Sequence, residues 1–285
     1  MLFAANCLDV FPKMEKKSVD IFVTSPPYNL GIKYNSYKDD NEYDEYLFFI
    51  KEVCQKIFII LKDNGSFFLN VGSSNKNPWL YMDVANVARE FFVLQNDFVW
   101  VKSISIGDET HGQFKPINSK RYVNGLYEHV FHFTHKGNVP LDRKSIGVPY
   151  VYKNNITRHN KTEGYMKEDL RCRGNVWHIP YKTIQSKSEK GNHPAIFPEK
   201  LVEHCIKLHG YNNETVVCDP FVGHGTTVLV CKKLGIEYIG IDIDEKYIEE
   251  IKMLLHLEDL IYENIAETFK ELGRKGLRDL RENEI

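Results

Sequence analysis

Val19-Asp-Ile-Phe-Val-Thr-Ser-Pro-Pro-Tyr-Asn29 and, near the other end of the chain, Thr215-Val-Val-Cys-Asp-Pro-Phe-Val-Gly-His-Gly-Thr-Thr227 carry the two principal readings. Each opens as a short apolar run rich in β-branched residues and stops abruptly, the first at consecutive prolines and the second at Pro220 and a glycine-rich turn. Strands with apolar residues on both faces belong to parallel sheets covered by helices on both sides. Ligands of such sheets collect beyond the carboxyl ends of the strands, where both stretches place their unusual residues.

On either side of these stretches the pattern alternates. Strands are expected at 19–24, 66–71, 98–101, 128–133, 215–219 and 238–243. Helices are expected at 42–61, 79–91, 199–208, 226–234 and 247–257, with Asp63-Asn64-Gly65 ending the first before the strand at Ser66. This is the α/β class with a doubly wound, mostly parallel sheet. From 138 to 192 the regularity gives way to polar and basic residues interleaved with Tyr150, Tyr152, Tyr165, Trp177 and Tyr181. The expected organisation is therefore 1–137, an insert at 138–192, and 193–285 with a charged helical tail from about Asn264.

The chain of 285 residues is 42% hydrophobic and 27% charged, a globular composition long enough to bury a sizeable core. The start MLFAANCLDV lacks the basic and apolar regions of an export signal, and no apolar run reaches the length of a membrane span, so a cytoplasmic protein is expected. Six cysteines without a C-x-x-C pair suggest buried thiols rather than a zinc or disulfide framework, and no metal site is expected. The histidines at 129, 132 and 135 read as core or surface residues, and Trp177-His-Ile-Pro180 as packing. The net charge of −2 hides an asymmetry: residues 111–190 hold 15 Lys/Arg against 6 Asp/Glu. Such a basic region suits a phosphate backbone, although a solvated lysine-rich insert gives the same count.

Asp219-Pro-Phe-Val-Gly-His-Gly-Thr-Thr227 lies between an expected strand and an expected helix. Gly223 and Gly225 allow close approach of a ligand to the backbone, and the helix beginning at Thr226 aims free N–H groups at the same place. Asp242, at the end of the next strand, suits a ribose diol. Any nucleotide-binding α/β protein can carry these features, and so can a purely structural turn. No Lys follows the second glycine and no G-x-G-x-x-G is present, so neither a phosphate-cradling P-loop nor the dinucleotide pattern is made. In Thr24-Ser-Pro-Pro-Tyr-Asn29, the prolines stiffen the backbone and leave carbonyls free to accept. Ser25, the Pro26 carbonyl and Tyr28 then offer two acceptors and a stacking face to a planar base bearing an amino group; a proline turn beside a buried tyrosine is the alternative.

Taken together, S-P-P-Y near the amino end and D-P-F-x-G-x-G-T near the carboxyl end resemble the DNA amino-methyltransferases, in the β-class order with the basic segment between them. Asn6-Cys-Leu-Asp9, Phe98-Val-Trp-Val-Lys102, Glu128-His-Val-Phe-His-Phe133 and His193-Pro-Ala-Ile-Phe-Pro-Glu199 are similar to further segments of that family. The chain departs from it at His224, where a small residue is usual, and at Asn6, where Asp is common.

The resemblance implies a Rossmann-like S-adenosylmethionine-dependent fold with circularly permuted motifs and a target-recognition insert at 138–192. It implies catalysis by Ser25, Pro26, Pro27 and Tyr28, and cofactor binding by Asn6, Asp219, Phe221, Gly223, Gly225, Thr226 and Asp242. The implied substrate is double-stranded DNA with the target base flipped out. The family context implies a possible cognate restriction endonuclease as functional partner, for a monomer or homodimer. Serine at position 25 points by resemblance to cytosine N4, with adenine N6 as the alternative and a non-catalytic specificity subunit as a remote one. A small-molecule or RNA methyltransferase is a further reading, which the basic aromatic insert disfavours. None of the cysteines follows a proline, so the covalent route to C5 of cytosine is not offered.

Overall fold

The computed structural model describes residues 1–29, 41–112, 114, 118–151, 170–180 and 198–257. In chain order the elements are β1 (Leu2–Ala4), α1 (Cys7–Val10), β2 (Val19–Thr24), α2 (Tyr43–Ile60), β3 (Leu61–Val71), α3 (Leu80–Ala88), β4 (Val93–Val101), β5 (Ile104–Ile106), β6 (Glu109–His111), β7 (Tyr127–Thr134), β8 (Val148–Pro149), β9 (Leu170–Arg171), β10 (Val176–His178), α4 (Glu199–His209), β11 (Val216–Asp219), α5 (Thr226–Leu234) and β12 (Glu237–Asp242). The chain is helical again at 245–257.

Among the described residues the main sheet has eight strands in the order β1-β12-β11-β2-β3-β7-β4-β10. Neighbours pair in parallel from β1 through β3, and β7 runs antiparallel between β3 and β4. The carboxyl ends of β2, β3, β4, β11 and β12 and the amino end of β7 consequently share one edge.

Side-chain alternation along the strands sorts the core onto two faces. Phe22, Phe67, Leu69, Phe131, Phe133 and Cys218 pack with α2 and α3. Ile21, Val23, Phe68, Val130 and Val217 pack with α4 and α5 on the other side. Tyr46, Ile50, Val53, Cys54, Ile57 and Ile60 form the buried stripe of α2, at the three- and four-residue spacing of an amphipathic helix. Full burial of one such aliphatic side chain is worth about 1.5–3 kcal/mol. Val222, Val228, Ile248 and Ile251 seal the segment 245–257 against α5.

Two local expectations are corrected. Asp63-Asn64-Gly65 does not separate α2 from β3: the strand begins at Leu61 and these residues form an irregularity in it, between the pairs Val19↔Leu61 and Ile21↔Ser66. Gly65 is required there because a Cβ would lie 2.8 Å from the Asp20 carbonyl oxygen, and Lys62 closes the bulge by donating to the Asp20 carboxylate at 2.8 Å. The strand at 98–101 begins earlier, at Val93.

Within the basic region, β10 adds to the main sheet beside β4. Trp177 is buried there, its ring stacked on Phe98 at 4.3 Å, and its packing role follows from that. Tyr152, Tyr165, Tyr181, the segment His193–Phe197 and the tail from Asn264 lie outside the described residues. Five cysteines are buried and Cys172 is exposed. No described helix is long and apolar enough to cross a membrane.

Candidate active site

The strand ends of β2 and β11 meet at one buried carboxylate. Asp219, at the end of β11, accepts hydrogen bonds from Thr24 Oγ1 at 2.6 Å, Thr227 Oγ1 at 2.7 Å and the Phe221 N–H at 3.1 Å. Thr24 is the last residue of β2 and Thr227 lies in the first turn of α5, so one side chain fixes the start of Ser-Pro-Pro-Tyr relative to the glycine loop. Burial pushes the Asp219 carboxyl up from 3.8 to about 6, against the three hydrogen bonds that favour its charge. Asp219, expected to bind cofactor, thus turns both carboxylate oxygens toward the chain itself.

The glycine loop turns sharply, with φ of 50° at Gly223 and 81° at Gly225. A side chain at Gly225 would also strike Ile251, whose Cγ1 lies 2.6 Å from an added Cβ. Asp242, at the end of β12, accepts from the Gly223 N–H and the Asp244 N–H, both at 2.9 Å. Burial raises its carboxyl above the ordinary range. Asp244 is buried, and its Oδ2 has no hydrogen-bond partner among the described residues. Acceptors at the ends of neighbouring strands beside a glycine turn and a helix N-terminus fit a nucleoside with a ribose diol. Asn6 caps α1 by accepting from the Leu8 N–H at 3.0 Å. It sits next to the Asp242 strand end, because the Ala5 N–H donates to the Asp242 carbonyl at 2.8 Å. Phe221 meets Phe49 of α2 edge to face at 5.9 Å, and Thr226 opens α5.

At the other half of the site Pro26 is buried, and Ser25, Pro27 and Tyr28 are half-buried. Asn29, at φ 53°, clasps Asn41: its Nδ2 donates to the Asn41 carbonyl and its Oδ1 accepts from the Asn41 N–H, both at 2.8 Å. The Tyr28 hydroxyl lies 2.8 Å from Ser25 Oγ and donates toward Glu128 Oε2 and the Asn70 carbonyl, each at 3.2 Å. Asn70 Nδ2 donates to Glu128 Oε2 at 2.8 Å and to Tyr28 Oη at 3.0 Å. Lys102 Nζ pairs with Glu128 Oε1 at 2.8 Å.

Asn70, Glu128 and Lys102 are not among the residues expected in the site from sequence, nor are Thr24 and Thr227. Asn70 carries a readable signal, a polar residue in the apolar run Phe67-Phe-Leu-Asn-Val71. Glu128 and Lys102 lie in segments similar to the family, but nothing along the chain brings them to the site, because their approach depends on the antiparallel placement of β7 between β3 and β4.

The histidines at 129, 132 and 135 separate. His129 pairs with Asp97 at 2.8 Å and stacks on Tyr81. His135 contacts the Leu61 carbonyl at 3.1 Å. His132 lies in the core between Asn96 and Ser66, and burial lowers its pKa from 6.5 to about 3.

Comparison with known proteins accords with this arrangement. The sequence profile of the DNA methylase family, N6/N4 type, matches residues 19–253. The Type II methyltransferase M.HpaI of Haemophilus parainfluenzae is 29% identical, over 94% of this chain and 78% of that protein. The DNA adenine methyltransferase YhdJ of Escherichia coli K12 is 26% identical, over 96% of this chain and 88% of that protein. Among solved structures, the cytosine-N4-specific PvuII DNA methyltransferase superposes with a TM-score of 0.64 at 19% identity, covering 88% of this chain and 84% of the other. At that identity the likeness is one of fold.

Proposed function

The chain belongs to the N6/N4 DNA methylase family, and we propose that it methylates the exocyclic N4 amino group of a cytosine flipped out of duplex DNA, using S-adenosylmethionine. The observation that carries this reading is the Thr24–Asp219 hydrogen bond of 2.6 Å, which holds the Ser25 and Pro26 acceptors and the glycine loop at one edge of the sheet. S-adenosylmethionine supplies an electrophilic methyl group; Asp242 would hold its ribose, with Gly223 and Gly225 leaving room for close approach.

An amino group on an aromatic base is a poor nucleophile because its lone pair is delocalised into the ring. Hydrogen bonds from its two hydrogens to Ser25 Oγ and the Pro26 carbonyl favour a pyramidal nitrogen, and they strengthen as the transition state develops. Tyr28 stacks on the flipped base, and Pro27 keeps the loop stiff. The hydroxyl of Tyr28 is anchored by Asn70 and Glu128, which fixes the plane of the ring. Exposed Arg143 and Arg171 of the segment 138–192 supply positive charge for phosphates, and that segment is assigned target recognition. A restriction endonuclease of the same specificity is the natural companion of such an enzyme.

Adenine N6 is the second reading, favoured by the adenine methyltransferase among the relatives. Digestion of enzyme-treated duplex to nucleosides followed by mass spectrometry tests both. N4-methylcytosine is expected; a dominant N6-methyladenine peak overturns the base assignment, and no methylated base in duplex DNA overturns the reading as a whole.

A further inference from the structure

We infer that Glu128 receives, by way of Ser25 and Tyr28, the proton that the target amino group loses during methyl transfer; this rests on the function proposed above. When the amino nitrogen bonds the methyl carbon with its lone pair, the sulfur–carbon bond breaks and its pair stays on sulfur. The nitrogen, now carrying four bonds, is neutral again only when one N–H bond breaks and leaves its pair behind. Ser25 Oγ and the Pro26 carbonyl accept hydrogen bonds well, but an alcohol or an amide carbonyl holds an additional proton poorly. The proton therefore needs a route onward.

The hydrogen-bond directions around Tyr28 provide one. Asn70 Nδ2 donates both to Tyr28 Oη and to Glu128 Oε2. Because the amide has to present its donors to the carboxylate, the orientation of Asn70 is set. Tyr28 then directs its own hydrogen between Glu128 Oε2 and the Asn70 carbonyl, each 3.2 Å away, of which only the carboxylate can keep the proton, and Ser25 donates to Tyr28 Oη across 2.8 Å. Ser25 Oγ also meets Asn70 Nδ2 in a long contact of 3.4 Å, which leaves it one lone pair for the amino group. Three hydrogens move one place each in the same sense: from nitrogen to Ser25 Oγ, from Ser25 to Tyr28 Oη, and from Tyr28 to Glu128 Oε2. Ser25 and Tyr28 end as they began, and Glu128 ends as a neutral acid that returns its proton to solvent.

The surroundings of Glu128 suit this task. Its side chain is 12% exposed and that of its partner Lys102 is 19% exposed, so the pair is screened from bulk water but not sealed from it. Lys102 occupies Oε1 and leaves Oε2 to the relay. Gly72 makes space for the carboxylate, since a Cβ there would fall 2.8 Å from Glu128 Cγ. Glu128 acts through Tyr28 and Ser25 and is in that sense a positioning residue whose contribution is a proton acceptor.

Glu128→Gln keeps the size and an acceptor oxygen but takes no proton, and Tyr28→Phe keeps the ring while cutting the relay. Single-turnover transfer is measured from pH 6 to 10 with duplex and cofactor saturating. Base flipping is followed separately by 2-aminopurine fluorescence without cofactor, and cofactor affinity by calorimetry. Both variants are expected to be slower than wild type by about 100-fold near pH 7, the size of one general-base contribution. The deficit should shrink as pH rises and hydroxide takes over, while in Glu128→Gln, which keeps an acceptor for the Tyr28 hydroxyl, flipping and cofactor affinity stay at wild-type values. A wild-type rate and pH profile in Glu128→Gln overturns the relay. So does a deficit that is constant with pH or that tracks lost flipping, because Glu128 then only holds Tyr28 in place. A wild-type enzyme that methylates no duplex overturns the proposed function and the relay with it.

Discussion

Replacing Asp219 with Asn isolates the charge at the joint of the two motifs. Asn keeps Oδ1 for Thr24 Oγ1 and the Phe221 N–H, and the Thr227 hydroxyl needs only to rotate to accept from the new Nδ2, so all three contacts are retained in neutral form. What disappears is the buried charge. The wild-type carboxyl titrates at about 6 in the fold against 3.8 when unfolded. Between those pH values the folded state binds more protons than the unfolded one, so wild-type stability from this group is present below pH 3.8 and is lost as pH rises to about 6. At ~1.36 kcal/mol per pH unit the loss comes to about 3 kcal/mol.

Asp219→Asn lacks that loss. Relative to wild type it should gain about 3 kcal/mol on going from pH 3.5 to pH 8, or about 5 °C of thermal midpoint for a chain of this length. Paired denaturant or calorimetric melts at several pH values measure it. A stability difference that does not change with pH would refute the argument. If the retained charge also favours the cationic cofactor, the same variant should bind S-adenosylmethionine more weakly while being more stable, a trade that calorimetry reads directly.

Ser25→Ala should leave cofactor affinity near wild type and slow methyl transfer by about 10²–10³-fold, since one transition-state hydrogen bond is worth about 2.7–4 kcal/mol; near-wild-type turnover would remove Ser25 from the mechanism. Asp242→Asn retains an acceptor for the Gly223 N–H and should lower cofactor affinity about tenfold with a smaller change in saturated turnover, as expected for one charge-assisted hydrogen bond; unchanged affinity by calorimetry would misplace the ribose contact. His132, lowered by burial from 6.5 to about 3, is neutral in the fold and protonates on unfolding, so its contribution is intact above pH 6.5 and is lost as pH falls toward 3. His132→Gln should therefore flatten the acid limb of a melting-temperature profile by about 2–3 kcal/mol between about pH 6.5 and 4, and an unaltered limb would exclude His132 as its source.

Features under short-range control are legible in the linear sequence. β2 can be read to the residue because Val19–Thr24 is apolar on both faces and ends at prolines, and α5 because a glycine turn precedes a clear helical run. Ser25, Pro26 and Tyr28 stand out as two acceptors and a ring at a strand end, and Gly223 and Gly225 as positions free of side-chain bulk. Tertiary packing, by contrast, makes Asp63–Gly65 a bulge within β3, since what demands Gly65 is the carbonyl of Asp20 on another strand. Packing also brings Asp219 between β2 and the glycine loop, and draws Asn70, Glu128 and Lys102 together around Tyr28. The Tyr28–Asn70 contact spans 42 residues of sequence, Tyr28–Glu128 spans 100 and Thr24–Asp219 spans 195. Spacing along a chain reports which side chains share a helix face or a strand face, whereas the meeting of residues from different strands is set by strand order, and here by the antiparallel β7, whose Glu128 reaches the edge where β2, β3 and β4 end.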